Sequence, residues 1–234
     1  LEVYGAQPPN ELLRQVIDQG GFYDTSKLFF KTVKDMLLAA ACAPPGGGRN
    51  DVSPRLIRQF SMVWLENLSP SSMTRIFQQI LSGFLGIVLP SLKAACEPIV
   101  NASVEIYNRV QEEMLPTPAK SHYTFNLRDL SKVFQGVLMI KARHVPDKDA
   151  LLKLWVHEEN RVFRDRLIDA DDRTKFNGMI KDMLSKHLDA DWEVDDFANL
   201  KFGDYLNREE KEYQPVTNDG VLHELLVEYL EEYN

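Results

Sequence analysis

The stretch Asp147-Lys-Asp-Ala-Leu-Leu-Lys-Leu-Trp-Val-His-Glu-Glu-Asn-Arg-Val-Phe-Arg-Asp-Arg-Leu-Ile168 decides the fold class. Leu151, Leu154, Trp155, Glu158, Val162 and Arg166 recur near helical spacing, which predicts an amphipathic helix over 147–168. The same pattern continues on both sides. Asp171–His187 reads as a further helix, and Leu127–Ile140 as another, with Asn126 as its cap. Leu92–Leu115 reads as a long helix stopped by Pro116 and Pro118. Ser71 or Ser72 can cap a helix running through Phe84. Residues 69–188 therefore read as a helical bundle.

The first 67 residues read differently. Glu11–Asp18 is a short helix ended by Gly20-Gly21, and Gly21–Lys27 a turn or hairpin. Asp35-Met-Leu-Leu-Ala-Ala-Ala-Cys42 is an apolar run of strand length, as in a parallel sheet covered on both faces. It stops at Pro44-Pro-Gly-Gly-Gly48. Ser53-Pro54 starts a short helix over Arg55–Gln59, and Phe60–Glu66 reads as another strand. Two strands do not make a stable parallel sheet alone, so this α/β part calls for partner strands. The fold class expected is mostly α with a small α/β part. Asp191–Tyr213 is acidic, aromatic and irregular, and Asp219–Tyr233 is a closing amphipathic helix.

The chain of 234 residues is 44% hydrophobic and 26% charged, as in a globular protein. Its longest apolar run, Met36–Pro45, is too short to span a bilayer. The start, Leu1-Glu-Val-Tyr4, lacks an initiator Met and any leader pattern, which predicts an excised piece of a longer chain. Residues 190–234 carry 13 Asp/Glu against 3 Lys/Arg within a net charge of −8. That acidic tail argues against a nucleic-acid surface there. Cys42 and Cys96 read as two free thiols, Cys42 within a buried strand.

Few residues carry chemistry on their pattern alone. The Gly-rich turn after Cys42 sits where α/β proteins place ligands, but it has no Gly-Lys-Ser/Thr and is not a phosphate loop. Arg55 and Arg58, three apart, share a helix face, either able to reach phosphate across an interface or to form a surface ion pair. Arg128 opens a helix, against the helix dipole, unless Asp129 offsets it. The five histidines are scattered, with no metal set and no hydrolase triad.

Several segments in order resemble the third AAA+ module of dynein heavy chains, the axonemal kind most. They are Leu1-Glu-Val-Tyr-Gly-Ala-Gln-Pro-Pro9, Glu11-Leu-Leu-Arg-Gln15, Ala43-Pro-Pro-Gly-Gly-Gly-Arg-Asn50, Ser53-Pro-Arg-Leu-Ile-Arg-Gln-Phe60, His122–Gln135, His157–Arg166 and Leu200-Lys-Phe-Gly-Asp204. The resemblance implies that residues 1–67 are the C-terminal part of an AAA+ α/β subdomain with two or three strands. It makes residues 68–190 the helical lid, and 191–234 an acidic connector and helix leading to the next module.

The resemblance also implies roles. Arg128 matches the sensor II arginine that contacts the module's own phosphates. Ala43 stands at the sensor I position, where active modules carry a polar residue, which puts fast hydrolysis at this module in doubt. Arg55 or Arg58 is the arginine finger offered to a neighbouring module. No catalytic residue and no metal ligand falls within the segment, because the Walker A loop and Walker B acidic pair would lie upstream. The segment alone is expected to be inactive, as part of an ATP-hydrolysing microtubule motor using ATP or ADP with Mg. Implied partners are neighbouring AAA+ modules, dynein intermediate and light chains and, indirectly, the microtubule, with no nucleic acid and no membrane. The implied place is the cytoplasm, cytoskeleton and cilium axoneme. The alternative is a structural or interaction module of the ring that no longer responds to nucleotide.

Overall fold

A computed structural model describes residues 7–43, 51–197, 199–206 and 211–233. The chain divides into two compact units, residues 1–67 and 68–234.

In the first unit, helix α1 (Pro8–Gln19) begins with two prolines, whose missing amides lie where a helix has no partner for them. It ends at Gly20, whose φ of 68° suits a residue without Cβ. Strands β1 (Gly21–Tyr23) and β2 (Phe30–Thr32) form an antiparallel hairpin, pairing Gly21 with Thr32 and Tyr23 with Phe30. The Asp24 carboxylate holds the turn by accepting from the Ser26 and Lys27 amides. Helix α2 (Pro54–Ile57) is a single turn, tied to α1 through Gln59 and Asp18.

The apolar stretches 35–42 and 60–66 are not strands. Leu37 is 95% exposed and Trp64 73%, and Cys42 is exposed rather than buried. The reason is physical: a strand exists only where a second backbone satisfies its amides and carbonyls. Among the described residues none pairs with either stretch.

The second unit is a bundle. Helix α3 (Pro70–Val88) is capped by Ser69, not Ser71 or Ser72, because the Ser69 hydroxyl accepts from the Ser72 amide and Pro70 holds the first helical position. Met73, Phe77, Leu81 and Leu85 line its buried face at intervals of four. The predicted helix over 92–115 is in two parts, a 3₁₀ stretch Pro90–Ala95 and α4 (Cys96–Glu113). Helix α5 (Leu127–Val137) follows the Asn126 cap. Helix α6 (Lys148–Val162) is capped by Asp147, which accepts from the Ala150 amide at 2.8 Å, and ends in a 3₁₀ turn, Arg164–Arg166. Helix α7 (Ala170–Leu188) stops at Asp189, with a φ of 51°.

Helix α5 packs on α6, and α3 and α7 pack on α4. Leu81, Ile99, Ile106, Leu130, Leu154, Trp155, Phe163 and Phe176 are fully buried between them, each contributing about 1.5–3 kcal/mol by leaving water. Beyond α7 come a turn of helix α8 (Val194–Phe197) and strands β3 (Phe202–Gly203) and β4 (Gln214–Pro215), which pair antiparallel. This segment lies on the bundle. Tyr213 bridges Ile140, the Leu200 carbonyl meets His157 Nδ1 at 2.9 Å, and Glu212 pairs with Lys141 and Arg143. Helix α9 (Asp219–Tyr233) buries none of its side chains.

Candidate functional site

The one site residue that the sequence assigned to the bundle, Arg128, sits in the first turn of α5. That turn is fixed by a reciprocal cap: the Asn126 side chain accepts from the Arg128 amide at 2.9 Å, and the Asp129 carboxylate accepts from the Asn126 amide at 3.0 Å. Two orphan amides of the helix start are thereby satisfied.

Asp129 does not serve Arg128. Adjacent residues of a helix point in different directions, and the Asp129 carboxylate is taken by Lys132 at 3.2 Å and Arg166 at 3.1 Å. Burial opposes its ionisation, but the Asn126 amide, Lys132 and Arg166 outweigh that, and its carboxyl lies below the usual carboxylate value. Arg128 itself is exposed, and among the described residues it makes no ion pair. A cation in the first turn costs roughly 0.3–1 kcal/mol against the helix dipole. It is an anion-ready group, at the end of the helix whose amides also favour anions.

Arg166 does the structural work nearby. Its guanidinium lies 4.6 Å above the Phe125 ring and donates to the carbonyls of His122 at 3.1 Å and Thr124 at 3.3 Å. The His122 ring in turn meets the Arg166 carbonyl at 3.0 Å.

The remaining assigned residues lie in the first unit. Arg55 and Arg58 are both exposed at α2. Arg55 pairs with Glu11 at 3.1 Å, a carboxylate already bonded to Arg14 at 2.8 Å. Arg58 makes no ion pair among the described residues. Ala43 is exposed and in no regular element, and the Gly-rich turn that follows it, residues 44–48, lies outside the described residues. Among the described residues no group of His, Cys, Asp or Glu is arranged to hold a metal ion, and no helix is long and apolar enough to cross a membrane.

A second polar cluster escaped the sequence reading. Glu158 and Glu159 of α6 are both fully buried. Glu158 accepts from Arg161 at 2.8 Å and from the Tyr213 hydroxyl. Glu159 has no hydrogen-bond partner among the described residues. Burial is the main cause pushing its carboxyl up to about 8. Ser103 and Trp155, which bond to each other at 2.8 Å, act the other way, and the neighbouring Glu158 charge adds to the rise. The signal was present for Glu158, which falls on the apolar spacing of 147–168; nothing in a pattern marks Glu159.

Residues 1–68 match the family model described as "P-loop containing dynein motor region", and residues 73–173 match "Dynein heavy chain, ATPase lid domain". Dynein axonemal heavy chain 6 of Homo sapiens is 45% identical over 240 residues. Dynein axonemal heavy chain 1 of Rattus norvegicus is 43% identical over 249, and dynein axonemal heavy chain 12 of Rattus norvegicus 40% over 254. Each comparison covers 100% of this chain, but 6%, 6% and 8% of the respective relative.

Proposed function

Because the chain belongs to the dynein heavy-chain family, we propose that it forms part of the third AAA+ module of an axonemal motor ring. There it couples nucleotide state to microtubule-based motility in cilia. The observation that carries this reading is Arg128: a guanidinium held in a capped first turn, exposed, and without a carboxylate partner among the described residues. An arginine left available at a helix start fits a nucleotide phosphate, which its planar fork meets through paired hydrogen bonds.

In this reading the ligand is ATP or ADP with Mg, and Arg128 offsets phosphate charge. A nucleotide that contacts the lid biases its position, and the neighbouring AAA+ modules receive that change. The microtubule, and the intermediate and light chains, are partners of the whole motor, and the axoneme its place. Of the two finger candidates, the absence of an ion pair among the described residues favours Arg58 over Arg55. Removing a finger should slow hydrolysis at the neighbouring module by ~10³-fold or more.

Ala43 favours a second reading, a ring module that is structural and indifferent to nucleotide, because a methyl group cannot polarise a phosphate or a water. One experiment separates the two. In a full-length heavy chain with its other nucleotide sites silenced, Arg128→Ala should speed loss of the fluorescent analogue mant-ADP without lowering the melting temperature. Arg128→Lys should rescue poorly, since it keeps charge but loses the fork. Unchanged mant-ADP retention with a lowered melting temperature would place the structural reading ahead.

A further inference from the structure

We propose that Arg166 is a positioning residue for Arg128, fixing the first turn of α5 and thereby the place from which the Arg128 guanidinium meets phosphate. The proposal rests on the phosphate-binding reading of Arg128 given above and adds the residue that acts through it.

Arg166 sits beyond the C-terminal end of α6, in the 3₁₀ turn Arg164–Arg166, 38 positions from Arg128 in sequence. From there its side chain joins three things at once. One nitrogen meets Asp129 Oδ2 at 3.1 Å, the same oxygen that accepts the Asn126 amide. The other donates to the carbonyls of His122 and Thr124, at 3.1 and 3.3 Å. The guanidinium carbon lies 4.6 Å from the centroid of the Phe125 ring, which itself packs against the buried Phe163 with centroids 5.7 Å apart. The His122 ring returns the connection to the Arg166 carbonyl. His122, Thr124, Phe125 and Asp129, four residues on the way into α5, are thus tied to one side chain.

The line of action is short. Arg166 orients Asp129; Asp129 closes the cap on the Asn126 amide; the Asn126 side chain holds the Arg128 amide at 2.9 Å. Arg128 has no ion pair of its own among the described residues, so its position follows from the backbone that this cap holds. Lysine at 166 could keep the charge for Asp129. Its single ammonium lacks the fork that reaches Asp129 with one nitrogen and the two carbonyls with another.

The test uses the full-length heavy chain with its other nucleotide sites silenced and mant-ADP with magnesium as probe. Dissociation rates are measured for wild type, Arg128→Ala, Arg166→Lys and the double variant, with hydrogen exchange of the 122–130 amides alongside. Arg166→Lys should accelerate dissociation about tenfold, less than the ~10²-fold that a 1 Å misplacement can cost, and should speed exchange at 122–130. The double variant should release mant-ADP no faster than Arg128→Ala alone, because the two residues act through one contact. Accelerations that multiply in the double variant would overturn the proposal, as would an Arg166→Lys motor with wild-type retention. An Arg128→Ala motor with wild-type retention would instead remove the underlying reading, in an arm that does not involve Arg166. Should Arg166→Lys lower the melting temperature by several degrees, Phe125→Leu decides. It removes the ring beneath the guanidinium without changing charge, and must accelerate dissociation in the same direction or the proposal fails.

Discussion

Gly136 of α5 and Glu158 of α6 share one space: a Cβ placed on Gly136 would lie 1.9 Å from a carboxylate oxygen of Glu158. Glu158 cannot swing aside freely, because Arg161 and Tyr213 hold it in a fully buried position. Inside a helix, Gly to Ala normally gains roughly 0.5–1 kcal/mol. Here the clash should win, and Gly136→Ala should destabilise the chain by about 1–3 kcal/mol, read as a fall in the urea midpoint. In a Glu158→Ala background the same change should turn favourable. Destabilisation of similar size in both backgrounds would show that Glu158 is not the obstacle.

Arg128 and Asp129 should part company in stability measurements. Arg128→Ala removes an exposed cation from a helix start and should leave stability unchanged or raise it by up to about 1 kcal/mol. Asp129→Ala opens the cap and leaves Arg166 without its carboxylate, costing about 1–2 kcal/mol or more. Denaturant midpoints of the two variants settle the order, and a larger loss at Arg128 would contradict it.

Glu159 gives the stability a defined pH dependence. Its carboxyl is raised from 4.5 to about 8 by burial, so the folded chain binds the proton more tightly than the unfolded one. Stability from this group is fully present below pH 4.5 and is lost as pH rises toward 8, by at most about 1.4 kcal/mol per pH unit. Glu159→Gln, which stays neutral, should remove that slope and be the more stable form at pH 8. Parallel slopes for the two proteins between pH 5 and 8 would rule Glu159 out as the cause.

Hydrogen exchange should separate the two units. The bundle buries Leu81, Ile99, Leu154 and Trp155 completely, whereas Leu37, Val63 and Leu65 of the first unit stand exposed. Amides of 72–188 should therefore outlast those of 36–65. The reverse order would mean that the apolar stretches of the first unit find partners in solution.

The residues that the sequence reveals best are those whose signal is local. Asn126 and Asp147 cap the helices expected of them, because a cap acts within three residues of itself. Ser69, Ser71 and Ser72 are three serines within four positions, all of cap type, and only Pro70 at the first helical position singles out Ser69. The stretches 35–42 and 60–66 have strand composition without strand structure, since pairing belongs to two segments and composition to one. At the candidate site the sequence offers Asp129 as the neighbour that offsets Arg128, and the structure gives Asp129 other partners. Asp129 pairs with Lys132, three positions on, and with Arg166, 37 positions away and brought there by the packing of α5 on α6; the second partner is encoded by no local pattern.

The buried bond from the Trp155 indole to Ser103 has an optical consequence. Of the three tryptophans, Trp155 is fully enclosed, Trp192 half-exposed and Trp64, in the first unit, open to solvent. Trp155 should emit at short wavelength and resist iodide quenching, while Trp64 should emit at long wavelength and quench readily. Loss of the blue component on denaturation thus tracks the bundle, the unit that encloses Trp155. Iodide accessibility of that blue component should stay low until the bundle opens, so the two readouts should move together if the bundle unfolds as one cooperative unit.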